Sequence, residues 1–308
     1  TLNSGATKFL TLQNGRFILN TALTLNLSSG GDLFQIPSTA GLILQNGTAT
    51  VTGNNTGILL DGLLRIAGGT LNAGDGSTAD TRYIQFGSSG NARLQLWSGT
   101  VQVNSQIRRS PFATAGVLKY VQHGGTLTIH GRGALASRAK FDVPENAGSE
   151  FIMTGGTITL VRGGGTTYGD LYLRPPTASV TGGTIVLNST GAGNQTFDID
   201  CNIALNALTI TGSAGNVATG RLRINPLTLT NSLSLSGTLT ISNDNSIFDA
   251  NGLDVFIGGD LVNNNSSTAT GLNVGGYRPQ TATQTTTFNR AGTQSINSTA
   301  ANLTNFAN

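Results

Sequence analysis

One short phrase recurs along this chain: two small residues, then Thr, then apolar–any–apolar. It reads Gly68-Gly69-Thr70-Leu71-Asn72-Ala73, Ser98-Gly99-Thr100-Val101-Gln102-Val103 and Gly124-Gly125-Thr126-Leu127-Thr128-Ile129. It returns as Gly155-Gly156-Thr157-Ile158-Thr159-Leu160, Gly182-Gly183-Thr184-Ile185-Val186-Leu187 and Ser236-Gly237-Thr238-Leu239-Thr240-Ile241. The Thr positions are spaced by 30, 26, 31, 27 and 54 residues, the last being two periods of 27. A period of this size marks a stacked repeat, in which each unit buries its apolar face only against its neighbours.

Within the phrase the apolar residues alternate with a position that is Asn, Gln or Thr in five of the six copies. Period two is the mark of a strand with one buried face. The same alternation often precedes the Gly pair, as in Leu64 and Ile66, Leu94 and Leu96, and Phe151 and Met153. Each unit therefore reads as strand, sharp Gly corner, strand, then a more variable polar stretch. Glycine supplies corner conformations of positive φ that a side chain resists. No stretch shows a 3.6-residue apolar period. The fold expected is all-β, a parallel β-helix with roughly one coil per 26–31 residues. At about 27 residues per coil the chain makes about eleven coils, a rod on the order of 50 Å long. Leu127, Ile129, Ile158, Leu160, Ile185 and Leu187 are expected inside it.

The organisation expected is one continuous β-helix segment over 1–308, cut from a longer protein. Irregular coils occupy 1–60, clear Gly-Gly-Thr repeats 61–190 and Asn/Thr-rich coils 191–308. Polar excursions at 105–117 and 131–150 interrupt the repeats, the second carrying Glu145, Glu150, Arg132, Arg138 and Lys140. They read as side loops on the stack, solvated elbows, with recognition as the second reading. Leu10, Leu12 and Phe17 at one end, and Ile296, Leu303 and Phe306 at the other, lie in strand-like patterns without a polar cap. Such ends are expected to be covered by more chain or by a partner.

Only 10% of residues are charged, against about 25% in average globular proteins. Solubility therefore rests on Thr, Asn, Ser and Gln. The net charge of +3 is scattered, and no aromatic-and-basic stripe is present, so nucleic acid is not an expected partner. No run of 18 apolar residues marks a membrane-spanning helix. The single Cys201 excludes an internal disulfide and reads as a small packed residue.

The last segments carry a distinctive pattern: Ile257-Gly258-Gly259-Asp260, an Asn run at 263–265, Thr285-Thr286-Thr287-Phe288-Asn289, Gly292-Thr293-Gln294-Ser295-Ile296 and Asn302-Leu303-Thr304-Asn305-Phe306. This resembles the repeats of very large cell-surface proteins of the Bacteroidota, secreted by the type IX system and linked to gliding motility or adhesion. Upstream stretches such as Gln106-Ile107-Arg108-Arg109-Ser110-Pro111 and Gly169-Asp170-Leu171-Tyr172-Leu173-Arg174-Pro175 fit the same class, so the resemblance covers roughly 60–308. Autotransporter and filamentous-haemagglutinin passengers share the architecture. The resemblance implies an extracellular, non-enzymatic adhesin or fibre acting as a rigid stalk. Its implied partners are the secretion and outer-membrane export machinery, surface polysaccharide and other adhesin chains.

The alternative is a carbohydrate-active β-helix, a polysaccharide lyase or hydrolase, or a carbohydrate-binding one. Its best carboxylate pair is Asp198 and Asp200, two apart on one strand and so ~6.6 Å apart along it, near the separation glycosidases use. Alternation with Phe197 and Ile199 also reads simply as polar outside and apolar inside. Asp75 and Asp80 lack the dense ligand spacing of a calcium loop. His123 and His130 flank the third phrase without a third metal ligand and read as surface residues. Gly163-Gly164-Gly165 lacks the Lys of a phosphate loop. Outward Thr pairs such as Thr126/Thr128 alternate with Thr70/Asn72 and Thr100/Gln102, which breaks a lattice-matching face. No catalytic residue, cofactor or metal is assigned. Trp97, Tyr168, Tyr172, Asp198 and Asp200 are the surface recognition candidates, with Tyr277 a further aromatic in a Gly-rich stretch.

Overall fold

A computed structural model describes residues 2–3, 10–27, 31–87, 90–111, 115–164, 166–223, 231–269, 271–298 and 306. The chain is all-β, a parallel β-helix, with no α-helix among the described residues. It divides into two compact units. The first comprises Thr1–Ile158, Gly165–Thr167 and Tyr172–Ser179; the second comprises Thr159–Gly164, Tyr168–Leu171 and Val180–Asn308.

Coils of the first unit contribute three strands each until Glu150–Leu160, which runs as one strand through the first two positions. One coil supplies Ala40–Leu44, Thr48–Thr52 and Gly57–Leu60, and the next Leu63–Ile66, Thr70–Ala73 and Tyr83–Phe86. Ala92–Leu96, Thr100–Val103 and Ile107–Arg109 follow, then Leu118–Gln122, Thr126–Ile129 and Phe141–Val143. Corresponding strands pair in parallel, so that Leu42, Leu64, Leu94 and Tyr120 stack in one column. Ala49, Leu71, Val101 and Leu127 stack in another, and Ile58, Ile84, Ile107 and Phe141 in a third. All twelve are buried, and burying each large one contributes about 1.5–3 kcal/mol. The variable part of the repeat thus holds a third strand, of only three or four residues.

The sequence phrase marks the corner between the first two strands. The N–H of Thr70 donates to the carbonyl of Gly47 at 2.8 Å, Thr100 to Gly69 at 2.9 Å, Thr126 to Gly99 at 2.9 Å and Thr157 to Gly125 at 3.0 Å. The Gly before the Thr at these four corners has positive φ, 83° at Gly99 and 70° at Gly125. A Cβ there would also strike the corner one coil back, 2.3 Å from the Gly69 carbonyl in the first case and 2.5 Å from that of Gly99 in the second. Conformation and crowding demand glycine together. Asn46-Gly47-Thr48-Ala49-Thr50-Val51 makes the same corner, which places the register of the repeat upstream of residue 60.

The second unit repeats the three-ladder plan. Ala207–Thr211, Leu239–Ile241 and Leu261–Asn263 form one ladder, and Gln195–Cys201, Ala218–Leu222 and Ser246–Asp249 another. Leu233–Leu235, Val255–Ile257 and Thr286–Phe288 form the third. Leu127, Ile129, Ile158, Leu160, Ile185 and Leu187 are all buried, as the phrase predicts. Leu10, Leu12 and Phe17 are half-buried and Ile296 is exposed, while Phe306 packs its ring 5.4 Å from that of Tyr277; Leu303 lies outside the described residues.

Candidate recognition surface

Trp97 is 48% exposed at the corner after Ala92–Leu96. The Arg65 guanidinium lies 4.7 Å from its ring centre, and His123 meets it edge-on at 6.0 Å. Arg65 is fixed in turn by Gln95, 2.8 Å away, and His123 by the Thr154 hydroxyl at 2.9 Å. A propped aromatic at a turn can stack on an apolar ring face. Tyr168 is half-buried.

Two recognition candidates are displaced from the surface. Tyr172 is buried, its hydroxyl donating to Glu145 at 2.8 Å and its ring flanked by Arg109 at 5.6 Å and Arg174 at 5.9 Å. Asp200 is buried too, so the alternation that would turn both aspartates outward fails at its second member. Asp198 is half-buried and paired with Arg221 at 2.7 Å. Its backbone N–H donates to buried Asp170 at 2.8 Å, which also accepts from the N–H of Gly164 at 2.9 Å. The two candidate acids therefore occupy different environments, one half-buried and paired with Arg221, the other buried. Tyr277 is also buried, bonded to Thr286 at 2.6 Å.

The excursions at 105–117 and 131–150, expected as solvated elbows, instead contain a buried charged cluster. Arg108, Arg109, Arg138, Lys140 and Asp142 are all buried. Arg109 donates to Asp142 at 2.9 Å and lies 3.8 Å from Glu145. Arg108 stacks 4.0 Å above the Tyr83 ring centre and donates to Gln106 at 3.0 Å. The Gln106 amide reaches the carbonyls of Arg138 and Ala139 at 2.8 and 3.0 Å. Burial lowers the pKa of Arg108 and raises that of Asp142, the latter against the pull of Arg109. Burial also opposes the charge on Arg109, but Asp142, Glu145 and Tyr172 together outweigh it and hold the guanidinium above its usual value. The physical reason for the departure is pairing: long charged side chains bury when hydrogen-bond partners and aromatic faces meet them. Residues 112–114 lie outside the described part of the first excursion.

The other polar candidates have local roles. Asp75 accepts from the Ser77 N–H at 3.0 Å and hydroxyl at 2.5 Å, which lowers its pKa, and Asp80 pairs with Arg82 at 3.1 Å. His123 and His130 stand at opposite ends of the strand Thr126–Ile129. Among the described residues no three or more His, Cys, Asp or Glu gather as a metal site. Cys201 is buried and its thiol donates to the Ile203 carbonyl at 3.2 Å. Thr48, Thr70, Thr100 and Thr126 form an unbroken outward column, but Asn72 and Gln102 interrupt its neighbour between Thr50 and Thr128.

One open cleft of about 330 Å³ lies in the first unit, bounded by Arg16, Ser38, Thr39, Gly41, Leu63, Asn91 and Arg93. No sequence signal marks it, because its residues come together only through strand register. No helix among the described residues is long and apolar enough to cross a membrane. No protein-family model, curated protein or solved structure matches this chain.

Proposed function

We propose that this chain is a non-enzymatic segment of a secreted cell-surface adhesin or fibre, a rigid stalk whose parent is exported by the type IX secretion system. The reading rests on one observation above all. The same Gly–Thr hydrogen bond recurs at four successive corners, from Thr70 to Thr157, with distances of 2.8–3.0 Å. A stalk needs a backbone whose every coil is held by its neighbours in the same way. Catalysis needs the opposite, several reactive groups converging at one place. The resemblance of the Asn- and Thr-rich segments to Bacteroidota surface repeats supplies the location and the export route.

The carbohydrate-active alternative would have to work through Asp198 and Asp200, and the Asp198–Arg221 pair together with burial of Asp200 weighs against it. Antibodies raised against the chain should label intact cells of its source, and disruption of the type IX machinery should retain the protein inside. The chain should release no product from a panel of polysaccharides. Labelling only after cell lysis, or turnover abolished by Asp198→Asn, would reverse the proposal.

A further inference from the structure

Strand register on the outer face of the first unit aligns Arg16 with Gly41, Gly41 with Leu63, and Leu63 with Arg93. Three strand spacings separate the two arginines, so their backbones stand ~14 Å apart along the ladder. Between them Gly41 contributes no side chain, and half-buried Leu63 forms the floor. Ser38, Thr39 and Asn91 add hydroxyl and amide groups at the rim. The opening of about 330 Å³ falls within the size range of ligand-binding clefts.

The glycines here serve different ends. Gly62 is forced, since a Cβ would lie 2.2 Å from both the Pro37 and the Ala40 carbonyl. Gly15 has a φ of 82°. Gly41 has no positive φ, and a Cβ there would press only on Leu63, 3.2 Å from its Cβ. A glycine inside a strand weakens it and often marks a place where another molecule approaches closely. Here its effect is to keep the cleft open.

The charge of the cleft is uncompensated. Arg16 and Arg93 are exposed, and among the described residues neither has a hydrogen bond or ion pair from its side chain. Lys119, next in the column, is neutralised by Glu150 at 2.6 Å. Asp61, beside Gly62 in the chain, already has an interaction of its own. Two free guanidinium groups in line along a ladder suit an extended polyanion, and the planar fork of each matches a carboxylate. No aromatic side chain lines the cleft, so bases would find no stacking platform there.

We infer that the cleft between Arg16 and Arg93 binds an acidic polysaccharide, a chain of sugars bearing carboxylates. This deepens the adhesin reading and rests on it. Titration calorimetry of the 308-residue chain with oligogalacturonate and alginate oligomers tests it, with neutral dextran, heparin and single-stranded DNA as comparators. The uronate oligomers should bind, more weakly as salt rises, and dextran should not. Arg16→Gln and Arg93→Gln should each weaken binding about tenfold. Gly41→Leu keeps both charges but fills the cleft, and should abolish binding, with circular dichroism confirming that each variant is folded. Absent uronate binding, unchanged affinity in both folded arginine variants, equal binding of dextran, or tighter binding of heparin or DNA would each overturn the inference. Surface-displayed protein that binds no uronate removes the cleft and leaves the stalk reading standing. Protein held inside the cell removes the stalk reading whatever the cleft binds.

Discussion

Tyr277 is buried with its ring 5.4 Å from that of Phe248, and its hydroxyl meets Thr286 at 2.6 Å. Burial pushes its phenol from an ordinary 10.0 up to about 12, against the hydrogen bonds from Thr286 and Gln284. The folded protein therefore keeps this proton in a range where the unfolded chain has lost it. Its contribution to stability is complete below pH 10 and disappears as pH rises through about 12. In an alkaline titration, tyrosinate absorbance from Tyr277 should appear together with loss of the β-sheet circular dichroism signal. Tyr277→Phe should remove its own share of that coupling and leave the share of Tyr120, which is also buried and whose phenol burial also pushes up. Ionisation of all five tyrosines while the fold persists would contradict this. At the same scale, the sequence misleads where one partner lies a coil away. Asp142 finds Arg109, and Tyr172 finds Glu145, 27 residues distant. Neither pairing has a local signature, so polar residues that alternation assigns to solvent are buried instead.

The corner is the element whose chemistry is most legible, because its requirement repeats. Gly125 has a φ of 70° and no room for a Cβ, which would fall 2.5 Å from the Gly99 carbonyl. Gly215 has a similar φ of 74° but nothing within 4 Å. Gly215→Ala should therefore cost only the left-handed conformation, about 1 kcal/mol. Gly125→Ala must also displace the corner beneath it and should cost roughly 3 kcal/mol or more. Urea unfolding of the two variants separates the effects, and equal losses would show that crowding at the corner is unimportant. In the first unit the third strand of the coil escapes the sequence pattern for a physical reason. Ile107–Arg109 and Phe141–Val143 have three residues each, too few to establish a period. Both also carry charges that neighbouring chain covers, so their outward positions do not look like a solvated face. The Arg16–Arg93 cleft is illegible in the same way: four residues on four strands share a column only once the register is known.

At the scale of the whole chain, cooperativity should be limited to neighbouring coils, since each strand pairs with the strands one coil before and after it. Leu127→Asp tests this by placing a carboxylate where the wild-type side chain is 1% exposed, stacked against Val101. An unpaired buried charge costs on the order of 3–5 kcal/mol. Amide exchange should accelerate in Thr100–Val103 and Thr126–Ile129, while Leu239–Ile241 and Val255–Ile257 keep their protection. Uniform acceleration across all of these strands would show global rather than coil-by-coil unfolding. The repeated Gly–Thr bond has a genetic consequence as well. Thr70, Thr100 and Thr126 each bond backwards to a glycine in the same way, so the joint between successive coils is interchangeable. A recombination that cuts after Gly69 and resumes at Thr100 deletes one coil and recreates a Gly–Thr junction. Genes descended from this one can lengthen or shorten by whole coils without inventing a new joint.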